Sequence, residues 1–426
     1  MTTRDQATPS AGRTAPRRSR RKGAPGDVFE LFVLAPDPDA QAASLLASFR
    51  NARVLVPFPR AGGEAGARWQ RIIRAHERTL GVLEGRDSGR GLPRGRELRA
   101  WGKDLFEALF PGDVRRLYDV ARSLQPDGVL DVVFTSMIDW VADKPWELAW
   151  DPARREFLAT ADINFVRNVF TAVPAEVRPR RRDRLRILVA VAEPGGAAAV
   201  SARLETGLLR RSFRPLVEAG LATVSVLSRT TPQALHRRLA DQPVDVLHYI
   251  GHGAYDEDAR EGVLLLEDGR GRPKPVDAAT LRQIVGRRGT ALVFLNACES
   301  GRGGRVDFNR GVAPALVAAG VPAVVANQYS VLDEAATVFA RELYGALAGG
   351  STLGDAAREA RVAVSHTAGS EVFDWAVPVL FARDPRATLR VPRVASAGRT
   401  RGPARPTGRA RSGGKRRPAR GGAGRP

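Results

Sequence analysis

From residue 185 to 390, short and nearly continuous apolar runs alternate with segments whose apolar residues recur every three or four positions. Leu185–Ala192 (LRILVAVA), Ala222–Leu227, Val244–Ile250, Gly262–Leu266, Ala291–Asn296, Ala323–Ala326 and Trp375–Phe381 read as strands. Helices are predicted over 200–219, 232–240, 277–286, 309–319, 333–348 and 353–365. Successive strand residues point to opposite faces, so an unbroken apolar run needs cover on both faces. Strands of this kind separated by helices predict an α/β fold, a mostly parallel sheet sandwiched by helices. Ligand and catalytic groups of such sheets lie beyond the carboxyl ends of the strands.

Residues 27–171 are less regular. Val28–Leu34 and Val129–Phe134 read as strands, and 66–84 and 98–109 as helices. A helix over 113–124 would have Asp113 as N-cap and a stripe of Val114, Leu117, Val120, Ala121 and Leu124. PWELAW (145–150) sets two tryptophans beside a proline. This part is expected to be a smaller α/β half beside the first. AVPAEVRPRRRDR (172–184), with two prolines and an arginine cluster, reads as a linker to the half at 185–390. No repeat of fixed period is visible, which argues against a solenoid.

Composition changes this picture at the ends. The 426 residues are 43% hydrophobic and 27% charged, which excludes a wholly disordered chain, a collagen and a disulfide scaffold. No apolar run reaches the ~18–20 residues of a membrane span, and the basic N-terminus has no apolar core of a secretory signal. A net charge of +21 suggests a nucleic-acid binder, but residues 1–26 carry +6 and residues 391–426 carry +11. The folded part is left near neutral. Both tails are poor in large apolar residues and are expected to be disordered. The C-terminal tail has no aromatic side chain, so it offers no stacking platform. Non-specific attraction to nucleic acid or to an anionic lipid surface remains, as does a purely solubilising role. The single cysteine, Cys298, rules out an intramolecular disulfide and fits a reducing cytoplasm. An Arg- and Ala-rich, Lys-poor chain fits a high-GC bacterial genome.

Two predicted strand ends carry candidate chemistry. HYIGHG (248–253) brings His252 between glycines that let the backbone turn sharply. LNACESG (295–301) brings Cys298 to the end of the strand ALVFLN. A histidine beside a thiol on a neighbouring parallel strand can take the thiol proton and lower its pKa. Each residue also has a plainer reading, Cys298 as a small core residue and His252 as a structural histidine. His248, His252 and Cys298 could also form a metal site, on a weak signal. GRGGRVDFNR (301–310) is glycine-rich and basic, but lacks the ending of a P-loop and the spacing of a dinucleotide fingerprint. A mobile activation loop is the better reading of it.

With these motifs in order, residues 244–390 resemble the CHAT family of caspase-like cysteine peptidases, kin to separases, metacaspases and caspases. VDVLHYIGHGAYD (244–256) looks like the histidine motif, GVLLLEDG (262–269) the strand after it, and ALVFLNACESG (291–301) the cysteine motif. The stretch 316–361 and FDWAVPVLFARD (373–384) follow in family order. PWELAWDPARREFLA (145–159) and INFVRNV (163–169) resemble the N-terminal half. Gly262 stands where many relatives have serine and Tyr329 where many have tryptophan, which would alter the loop beside His252 and one wall of the cleft.

The resemblance implies Cys298 as nucleophile and His252 as general base, with the backbone N–H groups of Gly253 and Cys298 as oxyanion hole. No cofactor or metal is implied. Substrate contacts are expected from Asp333, Tyr329 and Glu299, with Asp256 and Asp258 as alternative acids, and a basic P1 residue is expected. Asp333 also reads as an N-cap of the helix whose stripe is Ala336, Phe339, Ala340, Leu343 and Leu347. Exposed arginines at 180–182, 302 and 305 are candidate self-processing points. The expected partners are a protein substrate and a separate sensor or repeat protein in a bacterial regulatory or defence module. A catalytically silent, peptide-binding scaffold of the same fold is the alternative function.

Overall fold

A computed structural model describes residues 27–390, apart from 36–42, 59–61, 88, 90, 126–127, 172–183, 196–198, 257, 259–260, 286–288, 299–307, 330–332 and 370. The two tails, most of the linker and the candidate processing points at 180–182, 302 and 305 therefore lie outside the described residues, with the expectations about them.

The N-terminal half runs β1 (Val28–Leu34), β2 (Ala43–Phe49), β3 (Ala52–Phe58), α1 (Gly63–Leu83), α2 (Gly95–Leu109), α3 (Gly112–Ser123) and β4 (Leu130–Ser136). A single turn α4 (Asp139–Ala142), the short strands β5 (Trp150–Asp151) and β6 (Glu156–Phe157), and β7 (Ile163–Asn168) complete it. The second half begins with β8 (Leu185–Val191), α5 (Ala199–Glu218), β9 (Ala222–Leu227), α6 (Pro232–Asp241), β10 (Val246–Asp256), β11 (Glu261–Glu267) and β12 (Pro273–Val276). It continues through α7 (Ala278–Val285), β13 (Leu292–Cys298), α8 (Phe308–Ala318), β14 (Ala323–Asn327), α9 (Asp333–Ala348), α10 (Leu353–Ala368) and β15 (Pro378–Ala382).

Among the described residues, both halves share one sheet in the order β12-β11-β10-β13-β14-β15-β7-β4-β1-β2-β3, with β8 and β9 branching from β10. The β8–β9, β8–β10, β10–β13, β13–β14, β15–β7, β7–β4 and β4–β1 pairs are parallel. The fold is thus mixed α/β, with a large, mostly parallel central sheet flanked by helices. The period of two decides the layers. Leu292 and Phe294 join the core under α5, α9 and α10, while Val293 and Leu295 join the core under α6, α7 and α8. The stripe Ala336, Phe339, Ala340, Leu343 and Leu347 of α9 is buried throughout. No helix among the described residues is long and apolar enough to cross a membrane.

Several sequence expectations differ from the structure. The strand read as Val244–Ile250 does not stop at Ile250; β10 continues through Gly251, His252 and Gly253 to Asp256. Gly251 serves close packing there instead of a turn, because a Cβ on it would lie 2.4 Å from Tyr249 Oη and 2.9 Å from Ala192 O. Gly262 lies in a strand, as read, within β11 and opposite Tyr255, so the exchange for serine bears on that strand and not on a loop beside His252. Asp113 is not an N-cap: the cap residue is Pro111, and Asp113 sits in the first turn of α3, paired with Arg116. The buried face of α3 is Val114, Tyr118 and Ala121, leaving Val120 and Leu124 about half exposed. Tyr118 takes the core position by packing on Phe29, Phe106 and Phe110.

Candidate functional site

β10 and β13 are the third and fourth strands from one edge of the sheet, and β13 ends at Cys298 while β10 runs on to Asp256. Their parallel register pairs Ile250 with Asn296, Gly251 with Ala297 and His252 with Cys298. Neighbouring strands lie about 4.8 Å apart, so the two sequence-predicted residues stand side by side on the backbone. On its other edge His252 faces Leu265 of β11, and the buried Gly253 faces Leu264. His252 itself is half-buried. An imidazole-bearing residue beside a thiol-bearing one supplies a proton acceptor and a nucleophile. The side chain of Cys298 and all of Glu299 lie outside the described residues. The same holds for the side chain of Asp333, whose backbone opens α9.

The edge of β10 changes partner at this point. Up to Ile250 it pairs with β8, and from His252 onward with β11. Tyr249 closes the fork: its hydroxyl donates toward the carbonyl oxygens of His252 (3.0 Å) and Leu265 (2.9 Å). Burial pushes the Tyr249 phenol pKa up, and the Glu267 carboxylate pushes it the same way. Glu267 is buried and accepts from the Glu193 backbone N–H at 3.0 Å, tying the end of β8 to β11.

His248 does not join a ligand cluster. It is buried with its ring stacked on Phe294 (4.6 Å between centroids), and its Nδ1 lies 2.8 Å from Tyr344 Oη. Burial pushes its pKa down to about 3, so the ring is neutral near pH 7. Among the described residues no group of three or more His, Cys, Asp or Glu side chains could hold a metal ion.

Tyr329 is 4% exposed, with its hydroxyl 3.0 Å from His76 Nδ1 of α1 and its ring set edge-on against Phe373. It backs the region behind β14 from inside the core. Polar residues that sequence reasoning missed connect this region to the cysteine strand. Asn327 Nδ2 donates to Asn296 Oδ1 at 2.7 Å, and Asn296 precedes Cys298 by two residues. The next residue, Gln328, accepts from Arg167 at 3.1 Å, and Arg167 is paired with Glu147 through Nε–H···Oε1 at 2.9 Å. The available signal was a polar residue breaking an apolar run, Asn296 in VFLN and Arg167 in FVRN. A cavity of about 500 Å³ lies between α8 and the N-terminal half, lined by Leu80, Phe134, Arg167, Pro314, Gln328 and Phe381 among others. His252 is not among its described lining residues.

The family model described as CHAT domain matches residues 99–383. Among solved structures, the Arg specific cysteine proteinase gingipain R is similar at 14% identity, covering 74% of this chain and 76% of that one, with a TM-score of 0.43. The complex of Porphyromonas gingivalis RgpB pro- and mature domains is similar at 12% identity, covering 74% of this chain and 78% of that one, TM-score 0.42. The Saccharomyces cerevisiae separase–securin complex is similar at 12% identity, covering 84% of this chain, TM-score 0.42. The present chain spans only 30% of that separase-complex chain. No curated protein matches.

Proposed function

The chain belongs to the CHAT-domain family, and from that premise we propose that it is a cysteine endopeptidase acting through a Cys298–His252 dyad. His252 takes the Cys298 thiol proton, and the sulfur attacks the scissile carbonyl carbon. The oxyanion is met by the backbone N–H groups of Gly253 and Cys298. Collapse breaks the C–N bond, His252 gives the proton to the departing amine, and a thioester remains. Water then attacks the thioester, with His252 relaying its proton to the leaving sulfur. The observation that carries this reading is the register that sets His252 opposite Cys298, the last residue of β13.

Asp333 and Glu299 would pair with an Arg or Lys side chain at P1, with Tyr329 as the packed support of that wall. The substrate is a protein, the trigger a separate sensor in a bacterial regulatory or defence module, and the basic tails add non-specific attraction to polyanions. The test compares wild type, Cys298→Ala and His252→Ala against peptides varied at P1. Each variant should lose hydrolysis while keeping its fold, and the double variant should be no worse than either single one. Full turnover by Cys298→Ala would end the peptidase reading and leave the peptide-binding scaffold in its place.

A further inference from the structure

We propose that Tyr249 is a positioning residue for His252: its buried hydroxyl, seated where β10 exchanges β8 for β11, holds the His252 backbone in line with Cys298. The inference rests on the dyad reading above. A strand that changes edge partner loses ladder bonds at the changeover, and here Gly251 is in register with neither β8 nor β11. The next residue is His252, so the site lies where the ladder on that edge is weakest. Tyr249 supplies a donor at that gap, its proton shared between His252 O and Leu265 O at 3.0 and 2.9 Å.

Two features of the sequence specify this one contact. Tyr249 is 2% exposed and reaches forward past Gly251, and the space taken by its oxygen is the space a Cβ at 251 would need. Any larger residue at 251 would force the hydroxyl off the two carbonyls. Without the hydroxyl, the His252 and Leu265 carbonyl oxygens lose the donor they share across the fork. The strands would part there, carrying His252 away from its register partner. A merely structural tyrosine would need only some buried hydrogen-bond partner; Tyr344, equally buried, has one in His248 Nδ1 at 2.8 Å, at another point of β10.

Cys298 is the chain's sole cysteine, so alkylation by iodoacetamide reads one thiol and needs no known substrate. In wild type the alkylation rate should rise with a midpoint pH below the free-thiol value of about 8.5, and His252→Ala should return it to that value. Tyr249→Phe should move the midpoint part of the way in the same direction. It should also lower kcat on a cleaved peptide roughly tenfold to a hundredfold, as a misplaced catalytic group does, with KM little changed. Tyr344→Phe should lower stability and leave the alkylation profile where it is. If His252→Ala shifts the midpoint while Tyr249→Phe superimposes on wild type, the inference is overturned and the dyad stands. If His252→Ala causes no shift, the dyad reading falls and the inference with it. Failure of Tyr249→Phe to fold, beside a folded Tyr344→Phe, would overturn positioning in favour of a purely structural role.

Discussion

Replacing Glu147 by Gln tests what joins the two halves of the molecule. Glu147 is 0% exposed and its carboxylate faces Arg167, itself 4% exposed. Arg167 also donates to the carbonyl oxygens of Ala142 (2.6 Å) and Lys144 (2.9 Å) and to Gln328 Oε1 (3.1 Å). A second guanidinium, Arg361, is fully buried and donates to the Phe165 and Pro378 carbonyls. Burial pushes the Arg361 pKa down to about 10, Glu147 opposes that and Arg167 adds to it. One carboxylate therefore steadies two buried cations. At an effective dielectric constant near 20, an opposite charge about 4 Å away contributes roughly 4 kcal/mol. Breaking a buried pair on one side typically costs about 3–5 kcal/mol. The three remaining acceptors on Arg167 keep the cost at the lower end, so Glu147→Gln should destabilise by about 3 kcal/mol. That is a large part of the ~5–15 kcal/mol that holds a native domain. Urea denaturation should show the loss as a lower midpoint with an unchanged slope. Replacing both partners, Glu147→Leu with Arg167→Met, should cost less than the sum of the single replacements, since no charge is then stranded. A loss below about 1 kcal/mol for Glu147→Gln would refute the argument, because an exposed pair behaves that way and a buried one does not.

His248 should make stability depend on acid. Its folded pKa is depressed to about 3 against an ordinary value of 6.5, so the unfolded chain binds the extra proton as pH falls below 6.5. The penalty is absent above pH 6.5 and grows by about 1.4 kcal/mol per pH unit, reaching about 2 kcal/mol at pH 5. His248→Phe should keep the stack on Phe294 and flatten this acid limb; a wild type–variant difference that stays constant from pH 7 to 5 would contradict it. For Asp333, replacement by Ala should reduce cleavage after Arg and Lys more than after Leu. Breaking a desolvated charge pair costs about 3–5 kcal/mol, against about 0.5–2 for losing a cap, which acts on stability. Equal losses on all peptides, with a lower melting temperature, would assign Asp333 to capping.

The second half was legible because its signals are strong. Strands such as LRILVAV and LVFLNAC are apolar on both faces, and the helices between them carry clear stripes. The N-terminal half hid its strands for identifiable reasons. β2 is rich in Ala and Ser, β3 is an edge strand with Leu55 64% exposed, and the turn between them is made by Arg50, with φ of 55°, where a glycine would have signalled it. β7 carries Asn164 and Arg167 at buried positions, each satisfied by partners far away in sequence, so its pattern reads as broken. β12 is a four-residue edge strand with two prolines, the kind of position that tolerates them. At the site, the two motifs were visible as residues, but their register was not, because which strands are neighbours is a property of the whole sheet. Tyr249 lay inside a motif already noticed; only the fork in the sheet shows what its hydroxyl touches.

The closing strand explains why the halves cannot be treated as separate layers. β15 runs antiparallel to β14 and parallel to β7, so the last strand of the second half is also the first neighbour of the N-terminal half. That junction rests on a single register pair, Phe381 with Arg167. So sparse a ladder needs help from elsewhere. The help comes from side chains: Arg167 reaches Glu147 and Gln328, Gln328 donates to the Asp143 carbonyl, and Arg361 of α10 crosses from the Phe165 carbonyl to that of Pro378. Packing continuity of this sort is not itself coupling between sites. What it does is fix β14 against the N-terminal half, and through the Asn327–Asn296 bond it holds β13 two residues before Cys298. The cysteine strand is thus braced from the seam on one side, while on the other His252 is braced by Tyr249 at the fork. A dyad whose two members sit on different strands depends on both braces, since a shift of either strand by one residue would put Cys298 opposite a different neighbour.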